Sequence, residues 1–269
     1  LADNEEKNGE TGTVEDLKSA NALELHRAVR EEGQAELERP TGSLFWSGVA
    51  GGLAITASLV AEGAIAAHTA PGPARPLLLA IGYPIGFLIV ILGRMQLFTE
   101  STVTAMLPLV NAPSWGATGR TLRLWSVVLA ANFIGTALAA AAFAFLPLGD
   151  AALHAGMLEV SMKITEHGPL ATFVNAVPAG FLIAIVAWTL PNAREQAFFV
   201  VFGIVYVVAI GGFSHSVVGS TETFLLLFSG KIGGAQVLAF LAPAVLGNLF
   251  GGAGLFALLA HAQVREEGV

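Results

Sequence analysis

Six stretches of this chain are apolar over membrane-crossing lengths, near residues 44–68, 78–111, 121–147, 168–190, 196–229 and 235–262. A hydrocarbon core of about 30 Å takes on the order of 20 residues at helical rise, so each stretch is expected to be one crossing. The second and fifth overrun that length, and these two carry clusters of small, polar and ionisable residues, Arg94–Thr102 and Gly211–Glu222. Non-helical backbone at that depth is tolerated only where protein buries it or a cavity wets it, and ionisable side chains there are expensive. Each of the two is therefore expected to be a half-helix, a loop and a second half-helix, arranged around a permeation or binding site. Between the crossings, Pro71 and Pro73, Pro113, the stretch 149–167, Pro191 with Asn192, and residues 230–234 read as connecting turns.

The third and sixth crossings echo one another, Asn132-Phe133-Ile134-Gly135 against Asn248-Leu249-Phe250-Gly251. The second and fifth do so as well, Thr99-Glu100-Ser101 against Thr221-Glu222-Thr223. Weak symmetry of this kind marks repeated transporter halves. Three crossings per half is an odd number, so the second half must run inverted. The expected fold is an all-α integral membrane protein of six transmembrane helices in two inverted three-helix repeats, helices 2 and 5 broken, over residues 42–262. Its broken helices would aim half-helix N-termini, with their positive partial charge, at a site near the midplane.

Outside that domain, residues 1–12 have the composition of a disordered tail. Within 13–41, Leu17, Ala20, Leu23, Leu25, Ala28, Val29 and Leu37 mark one face of a charged stretch. That pattern predicts an amphipathic helix on the membrane or a neighbouring subunit, with a solvated helix as the alternative. With an even number of crossings both termini share a side, 263–269 forming a short tail. Arg27, Arg30, Arg39, Arg120, Arg123, Arg194 and Arg265 fall on that side and Arg75, Lys163 and Lys231 opposite, which places both termini in the cytoplasm.

Composition narrows the function. Hydrophobic residues make up 54% and charged residues 12%, with a mean hydropathy of +0.69, against roughly 25% charged in soluble domains. The chain has no cysteine, which excludes disulfides, thiolate nucleophiles and thiolate metal sites. No His-Glu-x-x-His spacing occurs and Ser216 beside His215 lacks the pattern of an oriented nucleophile, so no metal, cofactor or enzymatic activity is expected. The net charge of −7 sits mostly in the terminal segments and argues against a nucleic-acid partner.

At the two broken segments the chain resembles the formate/nitrite transporter family, whose members are pentameric channel-like carriers of small monovalent anions. The resemblance covers about residues 40 to 262 and rests on Leu97-Phe98-Thr99, on Gly212-Phe213-Ser214-His215-Ser216, on Gly247-Asn248 with Gly251-Gly252, and on Trp125 with Asn132. The run Arg94–Thr102 is closest to the family's YfdC-like branch. The resemblance implies an aquaporin-like fold in a bacterial inner membrane, with the lipid bilayer, a small anion or its weak acid, protons and four further copies of the chain as partners. Three positions depart from the family channels, which have Asn where Gly219 stands, a small or neutral residue at Glu100, and small residues at Arg94.

On this reading His215 is the central residue, able to donate a hydrogen bond or a proton to a weak-acid anion; the alternative is a histidine that only ties the two loops together. Thr99 would bond His215 or substrate, or cap a half-helix. Leu97, Phe98, Tyr83, Phe87 and Val208 are candidates for hydrophobic constrictions or plain packing. Phe213, Ser214 and Ser216 complete the second loop. Arg94, Glu100 and Glu222 are expected to form one intramembrane charge set in which Arg94 pairs with one or both carboxylates, or which relays protons or holds a cation. Lys163 resembles the family's vestibule lysine, and Asn132 and Asn248 its helix 3 and 6 asparagines. The expected activity is a pH-sensitive channel or secondary transporter for formate- or nitrite-like anions. The alternatives are a proton-coupled carrier or channel for another small solute, cationic or neutral, and a non-conducting scaffold.

Overall fold

A computed structural model describes residues 20–267, which excludes the expected tail 1–12 and, with Leu17, the start of the 13–41 segment. Every regular element among the described residues is helical. Five continuous helical stretches are long and apolar enough to cross a membrane: Thr41–His68, Arg75–Leu92, Trp115–Phe145, Pro169–Asn192 and Gly234–Val264. The fifth expected crossing is instead two shorter apolar helices, Ala197–Ile210 and Ser216–Phe228.

In chain order, α1 (Ala22–Glu38) precedes α2 (Thr41–Ile55) and α3 (Ala57–His68), which run on through Thr56. The second crossing comprises α4 (Arg75–Gly82), α5 (Pro84–Leu92) and, after a break, α6 (Phe98–Asn111). Then come α7 (Trp115–Phe145), α8 (Ala151–Met162), α9 (Pro169–Thr189) and the broken pair α10 (Ala197–Ile210) and α11 (Ser216–Phe228). The last crossing is α12 (Gly234–Leu249), a π-helical turn (Phe250–Ala257) and α13 (Leu258–Val264).

Two asparagines hold the halves in matching form. Asn132 on α7 accepts from the Phe98 N–H at 2.9 Å and donates to the Gly48 and Gln96 carbonyls at 2.8 and 2.9 Å. Asn248 on α12 accepts from the Ser216 N–H at 2.8 Å and donates to the Ala176 and Ser214 carbonyls at 2.8 and 3.0 Å. Each amide thus closes one break and ties it to the first helix of its own half, α2 or α9. Those helices come close because they lack side chains at the crossing. A methyl group on Gly52 would stand 2.2 Å from the Asn132 carbonyl oxygen, and one on Gly180 would stand 2.2 Å from that of Asn248.

Two expectations change. The stretch 149–167, read as a connector, contains α8, capped by Asp150 accepting from the Leu153 N–H at 2.8 Å and packed between α3 and α11. The amphipathic segment is helical from Ala22, where Asn21 and Glu24 cap each other, at 3.0 Å to the Glu24 N–H and 2.8 Å to the Asn21 N–H. Its buried stripe is His26, Val29, Gly33 and Leu37, whereas Leu23, Leu25 and Ala28 are only partly covered. Gly33 sets this rotation, since a methyl group there would fall 1.8 Å from the Thr104 carbonyl oxygen of α6.

His26, fully buried, lies edge-on to Trp188 and 3.3 Å from the His261 ring, Nε2 to Nδ1. Burial first, then His261 and Arg30, lower its pKa to about 4. The unfolded or undocked residue binds a proton more readily, so the contribution of His26 to docking is complete above the ordinary histidine pKa of about 6.5. It is lost as pH falls from there towards about 4. Amide hydrogen-exchange protection factors across 22–38, corrected for the intrinsic pH dependence of exchange, should fall over that window, and His26→Phe should flatten the response. Unfolding measurements should show Asn132→Leu and Asn248→Leu each costing at least about 2 kcal/mol, because three backbone groups per site lose their partner; a change under about 0.5 kcal/mol in either would contradict this role for the amides.

Candidate functional site

The two breaks are built from one template. After α5, the N–H groups of Gly93, Arg94 and Met95 bond the carbonyls of Ile89, Ile91 and Val90 at 2.9, 3.1 and 3.0 Å. After α10, those of Gly211, Gly212 and Phe213 bond Val207, Ala209 and Val208 at 3.0, 3.1 and 3.1 Å. The turn needs a left-handed residue, supplied by Gly212 at φ 63° in one half and by Arg94 at φ 54° in the other. A side chain in that conformation costs about 1 kcal/mol.

This register places Phe98 opposite Ser216, and hence Leu97 opposite His215 and Thr99 opposite Val217. Glu100 corresponds to Val218, and Glu222 to Thr104. The echo between Thr99-Glu100-Ser101 and Thr221-Glu222-Thr223 is therefore not a structural equivalence, whereas Asn132 and Asn248 do correspond. Glu100 and Glu222 thus occupy different places in the two halves.

Across the pseudo-symmetry, Thr99 Oγ1 and His215 Nε2 lie 2.8 Å apart, with both residues buried. His215 also caps α11, its Nδ1 accepting from the Val218 N–H at 3.2 Å. An imidazole nitrogen that accepts carries no hydrogen, so the tautomer that satisfies this cap has its hydrogen on Nε2, aimed at Thr99. The Thr99 hydroxyl hydrogen is then free for another acceptor. The Phe87 ring packs edge-on against the imidazole with centroids 4.9 Å apart, and Tyr83 lies 5.6 Å beyond Phe87.

Two cavities open on opposite sides of this pair. One, of about 240 Å³, is lined by Tyr83, Lys163, Phe213, Ser214, His215 and Glu222, among others. The second, of about 280 Å³, is lined by Ile91, Arg94, Glu100 and Arg194, with Glu32 of α1 at its edge. Tyr83, Phe87 and Ile91 follow one another at helical spacing along α4 and α5, from the first cavity to the second. At 1.5 Å per residue they span about 12 Å. Phe87, Val208, Leu97 and Phe98 are almost wholly buried in one apolar cluster with them. Ser216, by contrast, has a buried hydroxyl without a hydrogen-bond partner among the described residues.

The expected charge set is divided by this apolar layer. Arg94 is largely exposed and pairs with Glu32 at 2.6 Å, not with Glu100 or Glu222. The reason is geometric: the left-handed turn directs Arg94 towards α1, while Glu222 lines the cavity on the far side. Four residues beyond the expected site set contribute to it. Ile91 was discoverable from its spacing to Tyr83 and Phe87, and Glu62 as an acid inside the first crossing. Gln96 lies within the polar run 94–102, but its role and that of Glu36 are not legible there, because they act through α1: Glu36 accepts from Gln96 Nε2 and Thr104 Oγ1, each at 2.7 Å. Burial pushes the Glu36 carboxyl above its ordinary range, and those two hydrogen bonds oppose the shift. Trp125 donates to the Ser101 carbonyl at 2.9 Å and so braces the start of α6.

A family model described as "Formate/nitrite transporter" matches residues 23–262. The chain is 38% identical to the inner membrane protein YfdC of Escherichia coli (strain K12), over 94% of this chain and 82% of that protein. In fold it is similar to a pentameric formate channel with formate bound, at a TM-score of 0.71 and 19% identity over 84% of this chain and 98% of that one. It is also similar to an FNT family ion channel, at a TM-score of 0.76 and 17% identity over 90% and 98% of the two chains.

The strained turn makes a stability prediction. Arg94→Ala keeps the left-handed residue and loses the Glu32 pair, whereas Arg94→Gly loses the pair but relieves the turn. In thermal unfolding Arg94→Gly should be the more stable of the two by about 1 kcal/mol; the reverse order would show that the turn carries no strain.

Proposed function

The chain belongs to the formate/nitrite transporter family, and from that premise we propose that it conducts a small monovalent anion, of the formate or nitrite kind, or its conjugate acid, between the two cavities past His215. The observation that carries this reading is the Thr99–His215 hydrogen bond at 2.8 Å, set between two cavities at the junction of two half-helix N-termini. The starts of α6 and α11 both meet the breaks, so the positive ends of two helix dipoles lie near the pair. A chain of polarised bonds runs from the Val218 N–H through the imidazole to the Thr99 hydroxyl, whose free hydrogen can meet an anion. The apolar layer of Phe87, Leu97, Phe98 and Val208 makes an unescorted charge expensive and a neutral acid cheap.

Placement supports the remaining roles. His215 and Thr99 form the central site, with Tyr83, Phe87, Val208, Leu97 and Phe98 as the constriction, Phe213 and Ser214 as its floor, and Lys163 as a cation at the outer mouth. The relatives support a bacterial inner-membrane location and a homopentamer in the bilayer, and the arginine distribution supports cytoplasmic termini. Helix α1 then lies at the cytoplasmic mouth, tied to the first break by Glu36 and Glu32. The carboxylates in both cavities favour one refinement, entry of the anion together with a proton.

Stopped-flow uptake of formate and nitrite into proteoliposomes tests the reading, with wild type beside His215→Asn. Asparagine retains the ability to cap α11, so assembly should persist while uptake falls at least about tenfold through loss of the imidazole. Wild-type flux no greater than that of empty vesicles, with an intact oligomer, would refute the proposed activity. Undiminished flux in His215→Asn would refute the role of the ring.

A further inference from the structure

The outer cavity contains a feature that an anion pathway alone does not explain. Glu62, on α3 in the first crossing, is 7% exposed and lines this cavity, and its Oε2 has no hydrogen-bond partner among the described residues. Glu222, on α11, is 9% exposed and faces the same space. The other ionisable groups around it are Tyr83 between α4 and α5, Lys163, Glu166 and His167 after α8, and His215 at the break. Phe240 of α12 closes the wall beside Gly219. Lys163 does not bridge either acid, since the ion pairs among the described residues are Arg75 with Glu159 and Arg94 with Glu32. An anion therefore meets two near-buried carboxyl groups before it reaches His215. With both ionised, one ammonium cannot offset them and the anion is repelled; a buried carboxylate without a donor is also the costly form of the group.

We propose that Glu62 and Glu222 form a proton-binding carboxyl pair in the outer cavity, and that this pair supplies the proton that accompanies the anion. The proposal rests on the anion reading above. The step balances: the O–H bond of one carboxyl breaks as an O–H bond forms on an oxygen of the incoming anion, and the neutral acid passes the apolar layer. It dissociates in the cavity lined by Arg94 and Arg194, and the pair regains its proton from outer water. Each turnover thus moves one proton with one anion. The pair acts at the mouth, leaving His215 in its neutral, α11-capping form throughout.

Two readouts on the full reconstituted protein separate this site from the anion reading. Infrared difference spectra between acidic and alkaline buffer should show, beyond the bands of the chain's other carboxyl groups, a carboxylic-acid C=O component that is lost in the Glu62→Gln, Glu222→Gln double variant and diminished in each single variant. The single variants decide the matter should the double variant not assemble. Superimposable spectra in wild type and variants would overturn the site. With a pH-sensitive dye inside the vesicles, formate addition at neutral outer pH should acidify the wild-type lumen, and the double variant should do so at least about tenfold more slowly. Formate uptake with equal acidification in both would overturn the pair and leave the anion reading standing. A titrating band in a wild type that carries no formate would uphold the proton site and overturn the anion reading.

Discussion

A polypeptide that leaves the helix inside a bilayer must find protein partners for the backbone groups it frees, and two side-chain amides meet that demand here. Asn132 and Asn248 each satisfy one N–H and two carbonyls, in corresponding places. Everything else near the centre depends on them. They fix where α6 and α11 begin, which brings Thr99 and His215 within hydrogen-bond reach of each other across the two halves. The glycines at Gly52 and Gly180 serve the same end, since they let the first helix of each half approach the asparagine that pins it.

The halves share a backbone and differ in chemistry. At one position of the break Gly212 stands in one half and Arg94 in the other; at another, His215 stands in one half and Leu97 in the other. The second half thus supplies the imidazole, while the first supplies an arginine that reaches α1 and couples the N-terminal helix to its break. A symmetric scaffold gives a direction to the pathway in this way, with one cavity holding Lys163 and a carboxyl pair and the other holding Arg94, Arg194 and Glu100. The apolar layer between them, one side of which follows the single helical stripe Tyr83, Phe87 and Ile91, keeps the two sets of charges from pairing across it.

Much of this was legible in the sequence because membrane depth leaves few choices. Overlong apolar runs interrupted by polar clusters could only be broken helices, and the repeated asparagines marked corresponding positions in the two halves. The second echo misled, because a Thr-Glu pair recurs by chance on a helix whose register only the caps define. Arg94 was assigned a carboxylate within the membrane, since burial demands a partner, yet its left-handed turn carries it out to Glu32. Helix α8 was read as a loop because its flanking Gly149 and Gly168 resemble turn punctuation while Asp150, its cap, is ambiguous alone. The stripe of α1 was misplaced by counting large apolar residues; the helix is seated by Gly33, a residue that no hydrophobic pattern can single out.

The central claim is that a sealed apolar layer at Phe87 separates two cavities that open to opposite sides of the membrane. The chain has no cysteine, so single-cysteine variants can be labelled cleanly with a membrane-impermeant thiol reagent, applied to spheroplasts and to inside-out vesicles. The account predicts that Ser214→Cys labels from the outer face alone, Ala187→Cys from the inner face alone, and Phe87→Cys from neither. Labelling of Ser214→Cys and Ala187→Cys from the same face, or ready labelling of Phe87→Cys from both, would contradict it.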